Sequence, residues 1–343
     1  MLMKKPLLRA KKAFSVLFFV VFIGLSGLAK PASEGNEAEA KPFDANAVIL
    51  EHVMDDHQWH FTDHIVLPLP IIVYTTERGL DIFSSSNFYN EHHQTVEFNG
   101  YKLEHNHILL ANSGKGVWDF SITKNVAMLF VNAAVLLVVF LSVSKAYRKN
   151  VGKAPSGIQS FMEPLVVFVR DEIVKPNIGH HYEKYLPYLL TLFFFILFGN
   201  LLGLVPGAAN LTGNIAVTLI LAVLTFFITN LSGNKNYWKH IFWTPGIPLV
   251  LRPLILPVEI IGVFTKPFSL TIRLFVAITA GHIVLLSLIC LAFIFSSWYV
   301  GIGTSIVVVF INLIELLVAG IQAYVFTLFT SLYIGMATAE DHH

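Results

Sequence analysis

"SLTIRLFVAITAGHIVLL", residues 269–286, is apolar enough to lie inside a bilayer, yet Arg273 stands near its start and His282 nine residues later. A charged side chain at mid-membrane costs about 2.5–3.5 kcal/mol on insertion scales, so such a residue normally faces protein or a water-filled cavity. The stretch belongs to a longer apolar run, 253–295, and a second run, 304–338, follows it. At about 1.5 Å per residue, single helices over these runs are about 65 and 52 Å long. A hydrocarbon core of about 30 Å needs only about 20 residues. Each run is therefore either a steeply tilted helix or a segment that folds back. The linker 296–303 (SSWYVGIG) is uncharged and suits an outer turn between two long helices. A fold-back at Lys266-Pro267 would need a loop, and the apolar pattern hardly pauses there. The prolines at 253, 257 and 267 are expected to bend the helix without ending it. Tilt is the expectation.

The rest of the chain agrees with a membrane setting. Of 343 residues, 55% are hydrophobic and only 13% are charged, which excludes both a disordered chain and an ordinary soluble enzyme. The net charge of +1 carries no information about partners, and nothing points to nucleic acid. Cys290 is the single cysteine, so no disulfide forms within the chain, and its apolar surroundings suit an inert buried thiol.

The N-terminus has a basic start (MLMKKPLLRAKK), an apolar stretch (AFSVLFFVVFIGLSG) and small residues after it. That order reads as a secretory signal peptide over 1–29, with an uncleaved short anchor as the alternative. Either way, the residues from about 30 onward are expected outside the cytoplasm. Residues 30–45 form a polar linker. From 46 to 116 short alternating segments, with a turn at Asn99-Gly100, predict a small, partly β domain, or loops that order only against partners.

Membrane spans are expected at 118–144, about 186–205, about 214–232, and over the two long runs. The densest positive loop, with Lys145, Arg148, Lys149 and Lys153, follows the first span and is placed inside. Residues 157–175 look amphipathic and suit the inner surface. The uncharged turn PGAANLTG falls outside, and the loop bearing Lys235, Lys239 and Arg252 falls inside. The fold class is thus an all-α polytopic membrane protein of about five membrane helices, the last two forming a long, steeply tilted hairpin. A small, partly β extracytoplasmic region precedes them. The chain divides into a signal peptide (1–29), a His-rich extracytoplasmic region (30–117) and a membrane domain (118–343).

Polar residues in the two long runs are ordered. Glu259, Lys266 and Arg273 are seven apart and share one face, which continues through Ala277, Ala280 and Gly281. The second run places Asn312, Glu315, Ala319 and Gln322 on one stripe. Small residues around a charge let another helix approach closely. A structural alternative is that Arg273 snorkels, or glues helices by pairing with Glu315 or Glu259. Glu259 and Lys266 lie nearer the cytoplasmic end, where snorkelling is cheap. A lysine at Arg273 could shed its proton, whereas arginine stays charged. Histidine and glutamate change protonation near neutral pH when their surroundings shift them. One fixed charge with two titratable relay candidates, His282 and Glu315, is the layout of a proton path.

These residues resemble the a subunit of F-type ATP synthase. The likeness lies in "FFFILFGNLLGLVPG" (193–207), "LTGNIAVTLILAV" (211–223), "LPVEIIGVFTKPFSLTIRLF" (256–275) and "LLVAGIQAYVFTLFTSLYIGMA" (316–337), and runs through most of 118–340. The resemblance implies a proton-translocating stator without nucleotide chemistry or a cofactor of its own. Its expected partners are an oligomeric c ring, b-type peripheral stalk subunits, the rest of the synthase and membrane lipid. It also implies the bacterial inner membrane, with a periplasmic N-terminal region and a cytoplasmic C-terminus. Arg273 matches the essential stator arginine and Gln322 the glutamine beside it. Glu259 and Asn200 match polar positions of the aqueous half-channels, and Asn312 and Lys266 join them here. Two departures stand out. Many members have Gly-Asn where this chain has Val276-Ala277. Many also have Glu and His where it has His282 and Glu315, an exchange that keeps one acid and one imidazole.

Outside the membrane, His57, His60 and His64 fall on one face if helical and form a weak zinc or copper candidate. Proton collection at an entry mouth and a hydrated His-rich surface are the alternatives. Two rival functions remain. A secondary transporter with a charged substrate site predicts an internal repeat, and none is seen. A purely structural anchor leaves the buried charges unexplained.

Overall fold

A computed structural model describes residues 54–62, 65–76, 78–89, 95–104, 106–111, 117–149, 154–205, 207–243, 252–295 and 297–339. The predicted signal peptide and the linker 30–45 lie outside them, as do His64 and Lys153.

The first part is β-rich. Strand β1 (Gln58–Thr62) pairs antiparallel with β2 (Ile65–Pro68). Strands β3 (Pro70–Thr75) and β4 (Gly79–Ser84) form a hairpin. A third hairpin joins β5 (Tyr101–Glu104) to β6 (His107–Leu110). The short β7 (Trp118–Asp119) adds to the free edge of β3. Just before β5, Asn99 and Gly100 take φ values of 49° and 76°. Phe98 and Tyr101 exchange backbone hydrogen bonds of 3.0 and 2.9 Å across them. That is the two-residue turn that Asn-Gly favours, because both residues tolerate positive φ. Ile71, Val73, Phe88, Tyr101 and Ile108 make the domain's core, with Phe83 packed on it.

Helix α1 (Lys124–Lys149) begins at Lys124 rather than at 118, because Trp118 and Asp119 are already taken by the sheet. The Asp55 carboxylate accepts the Asn125 N–H (3.2 Å) and the Asp56 carbonyl accepts the Lys124 N–H (2.8 Å). These bonds satisfy two donors that a helix start leaves free. After α1 the chain runs helical from α2 (Ile158–Phe168), through a π segment (Val169–Val174) and one turn (Lys175–Ile178), into α3 (Tyr182–Gly203). Helix α4 (Ile215–Leu231) is followed at a 102° bend by the short α5 (Lys235–Phe242). Helices α6 (Arg252–Phe295, 44 residues) and α7 (Trp298–Thr338, 41 residues) complete the described chain. Among the described residues, four helices can cross a membrane by length and composition, or five if the bent pair counts as one span.

Pro257 and Pro267 lie inside α6 without ending it, as expected. The turn expected over 296–303 is much shorter, since α7 is helical from Trp298. Gly301 there donates to the Ser297 carbonyl at 2.9 Å. Glycine costs a helix about 1 kcal/mol. An unbonded peptide group in an apolar setting costs several, so the helix continues to its limit. Helix α7 packs on α6 and α3, and α6 packs on α4. The largest core cluster lies among α3, the π segment, α6 and α7.

Candidate functional site

The α6–α7 pair sets the site. On α7, Glu315 and Ala319 are buried and Asn312 and Gln322 half-buried, so the polar stripe turns inward. Its carboxylate meets α6 at His282, where Nδ1 lies 3.8 Å from Glu315 Oε1. Gly281 lies against the same side chain: a Cβ there would stand 3.4 Å from Glu315 Oε1, in ordinary contact. The 3.8 Å gap exceeds a hydrogen bond. A small rotation of the imidazole or one bridging water is what a hydrogen-bonded link between the two groups requires.

Arg273 takes a different partner from those weighed in the sequence. Its guanidinium carbon sits 4.2 Å above the centre of the Phe329 ring on α7. Among the described residues it forms no ion pair with Glu315 or Glu259, and its Nη1 is buried without a hydrogen-bond acceptor. The ring face holds the cation by its quadrupole without neutralising it. Gln322 is half-buried on the same helix, seven residues before Phe329, with its amide oxygen buried and unbonded.

Asn200 ties a third helix to this pair. Its amide donates to the Ala319 carbonyl at 3.2 Å and its oxygen accepts from the Thr212 hydroxyl at 2.6 Å. Asn200 and Thr212 are both buried. The end of α3, the α3–α4 connection and the middle of α7 are thereby pinned at one point. Asn210 caps the turn after it by accepting the Gly213 N–H.

Toward the other end of α6, Lys266 lies between two aromatic rings, 5.3 Å from the centre of Tyr333 and 6.0 Å from that of Tyr237. Thr225, Thr229, Asn230, Tyr237, Lys266 and Tyr333 line a cavity of about 10 Å³, room for roughly one water. The Tyr237 hydroxyl donates to the Asn230 side chain at 3.1 Å. Glu259 is half-buried two turns from Lys266. The candidate residues thus fall into two groups along α6, with Arg273 between them in sequence. Phe329, Thr212, Tyr237 and Tyr333 were not foreseen. Phe329 had one signal, its seven-residue offset from Gln322.

Among the described residues the histidines of the β domain form no cluster. His57 precedes a strand rather than sitting on a helix, so it shares no helical face with His60, and His64 lies outside the described residues. It is 3% exposed, so it is no part of a hydrated surface. Its Nε2 lies 3.3 Å from the Asp119 carboxylate. Burial pushes the imidazole down, but the hydrogen bond and charge of Asp119, with the charge of Asp56, outweigh it and leave the group raised. Burial likewise raises Asp119, and hydrogen bonds from His57 and Ser121 bring it below its ordinary value. Among the described residues no three metal-ligating side chains converge.

Residues 126–335 match the family described as ATP synthase A chain, and residues 48–128 match a domain of unknown function. ATP synthase subunit a 2 of Chlorobium luteolum is 52% identical over 230 residues, covering 65% of this chain and 67% of that protein. The subunit a 2 of Prosthecochloris aestuarii is 51% identical, over 66% of this chain and 72% of its own. Subunit a of an Anaeromyxobacter species is 40% identical over 309 residues, 87% of this chain and 71% of its own. With the family match running from the first turn of α1 to the last turn of α7, and with such relatives beside it, the chain belongs to the ATP synthase A chain family.

Proposed function

We propose that this chain is the proton-translocating stator of a rotary ATP synthase, forming two aqueous half-channels against a c ring. Protons enter from outside near His282 and Glu315 and neutralise a carboxylate of the ring. The neutral site turns through lipid, and the proton leaves on the cytoplasmic side, toward Lys266 and Glu259. The bare carboxylate then passes Arg273, whose permanent charge attracts it and keeps the half-channels apart. The observation that carries this reading is Arg273 itself: a fixed cation held by an aromatic face, without a counter-ion among the described residues. Such a charge is costly in a membrane unless a partner supplies the carboxylate. Lengths of about 66 Å for α6 and 62 Å for α7 support steep tilt across a core of about 30 Å. The chain itself contributes no nucleotide chemistry. Torque passes to the soluble head, and b-type stalk subunits hold the stator still.

Arg273→Ala tests the reading. In inverted membrane vesicles ATP-driven proton pumping should be lost, leaving at most a passive leak. Intact coupled pumping in that variant would refute the role. Copurification of an oligomeric c ring with the chain is the companion requirement.

A further inference from the structure

The sheet of the N-terminal domain has two apolar faces. Its strands lie in the order β4, β3, β7, and directly opposed residues share a face. One face, with Ile71 and Val73, is the domain core. The register builds the other from rows: Leu80, Tyr74 and Trp118, then Ile82 and Ile72. The Phe120 N–H donates to the Ile72 carbonyl and extends the second row. Leu80, Ile82, Trp118 and Phe120 are between 59% and 69% exposed. An antiparallel sheet with one buried face normally presents polar residues on the other. This face has no charged side chain. The two acids of these strands, Asp81 and Asp119, both pair in register with Val73 and so take the core side.

Its place in the chain identifies what covers it. Phe120, Ile122 and Lys124 donate to the carbonyls of Ile72, Pro70 and Asp56, so the sheet is bonded directly onto the first residue of α1. Helix α1 has 26 residues, about 39 Å, so its ends reach beyond a core of about 30 Å into the headgroup layers. The sheet starts at that level. Beyond it α1 exposes Phe130, Leu137, Val138 and Leu141, an apolar surface of the kind that lipid covers. The apolar sheet face adjoins the start of this helix, and it carries Trp118 and Tyr74, the residue types that settle at a membrane–water interface.

We propose that the outer face of the β4–β3–β7 sheet lies in the headgroup region of the bilayer and is covered by lipid. The domain then anchors beside α1 as an interfacial sheet. The inference stands apart from the proton path, since it does not require Arg273 to translocate anything.

Spin labelling of the full chain in phosphatidylcholine vesicles tests it. Ile82→Cys and Leu80→Cys carry the nitroxide, each with Cys290→Ala, and Glu97→Cys, in an exposed segment before β5, is the control. Oxygen, which partitions into lipid, should relax the labels at Ile82 and Leu80 more strongly than a water-soluble nickel chelate, with the order reversed at Glu97. In parallel, brominated phosphatidylcholine should quench a tryptophan component that Trp118→Phe removes. Strong relaxation by nickel at Ile82 would place the face in water and overturn the proposal. Protection from both reagents in the assembled synthase would overturn it too, by assigning the face to a protein partner.

Discussion

Arg273 keeps its charge on chemical grounds, and its neighbours leave that charge available. A carboxylate within the chain would have bound it, whereas the Phe329 ring supports the guanidinium and leaves its hydrogen-bonding edge unneutralised. The sequence identified the cation, the acid and the imidazole because charged residues in apolar runs are costly and therefore conspicuous. Phe329 was hidden among 29 phenylalanines in a chain where an aromatic ring is the ordinary packing residue. His282 and Glu315, the imidazole and the acid on successive helices, stand 3.8 Å apart. If they act as a unit, their order along the path matters less than their proximity. His282→Glu with Glu315→His should therefore recover more ATP-driven pumping than either single change. Equal loss in all three variants would sink this.

At the scale of elements, length was the readable property. Two apolar runs too long for one perpendicular crossing predicted two long helices, and α6 and α7 are those helices. The turn between them is shorter than its sequence suggests: an uncharged segment with two glycines looks like a loop, yet its backbone bonds are best met by continuing the helix. The long-range tie through Asn200 was half legible. The asparagine stood out in an apolar span, but Thr212, in a polar turn, gave no sign that it was the partner. The two are buried and 2.6 Å apart, so removing the hydroxyl leaves a buried acceptor without its donor. Thr212→Val keeps the shape and should cost about 1–3 kcal/mol. In detergent, the variant should lose the α3–α4 connection to protease at lower temperature than the parent. An unchanged cleavage profile would show that the contact holds nothing in place.

The whole molecule joins two bodies of different chemistry. Trp59 donates to the Gly207 carbonyl at 2.7 Å, and Trp59 and Leu69 pack with Met128, Ala209 and Leu211. The β domain thus seats on the α3–α4 connection, which Thr212 and Asn200 tie to α7. None of this seating was readable in sequence, because it depends on contacts about 150 residues apart. The pair His57 and Asp119 lies at the same seam, linking the approach to β1 with the strand that feeds α1. Its pH dependence has a definite sign. The raised His57 contributes stability in full below its ordinary 6.5 and loses it as pH rises through the raised value. The lowered Asp119 contributes above its ordinary 3.8 and loses it as pH falls through the lowered value. The seam is therefore firmest between 3.8 and 6.5 and loosens on the alkaline side. Asp56 and Asn106 are the other groups facing the imidazole and neither supplies a cation, so the direction holds. Amide exchange at β1 and β7 in the full chain should accelerate as pH climbs past 6.5, beyond the intrinsic rise in exchange rate. His57→Gln, which keeps a hydrogen bond to Asp119 but cannot titrate, should remove that extra acceleration. Matching profiles in the two proteins would mean that His57 does not set the stability of the seam.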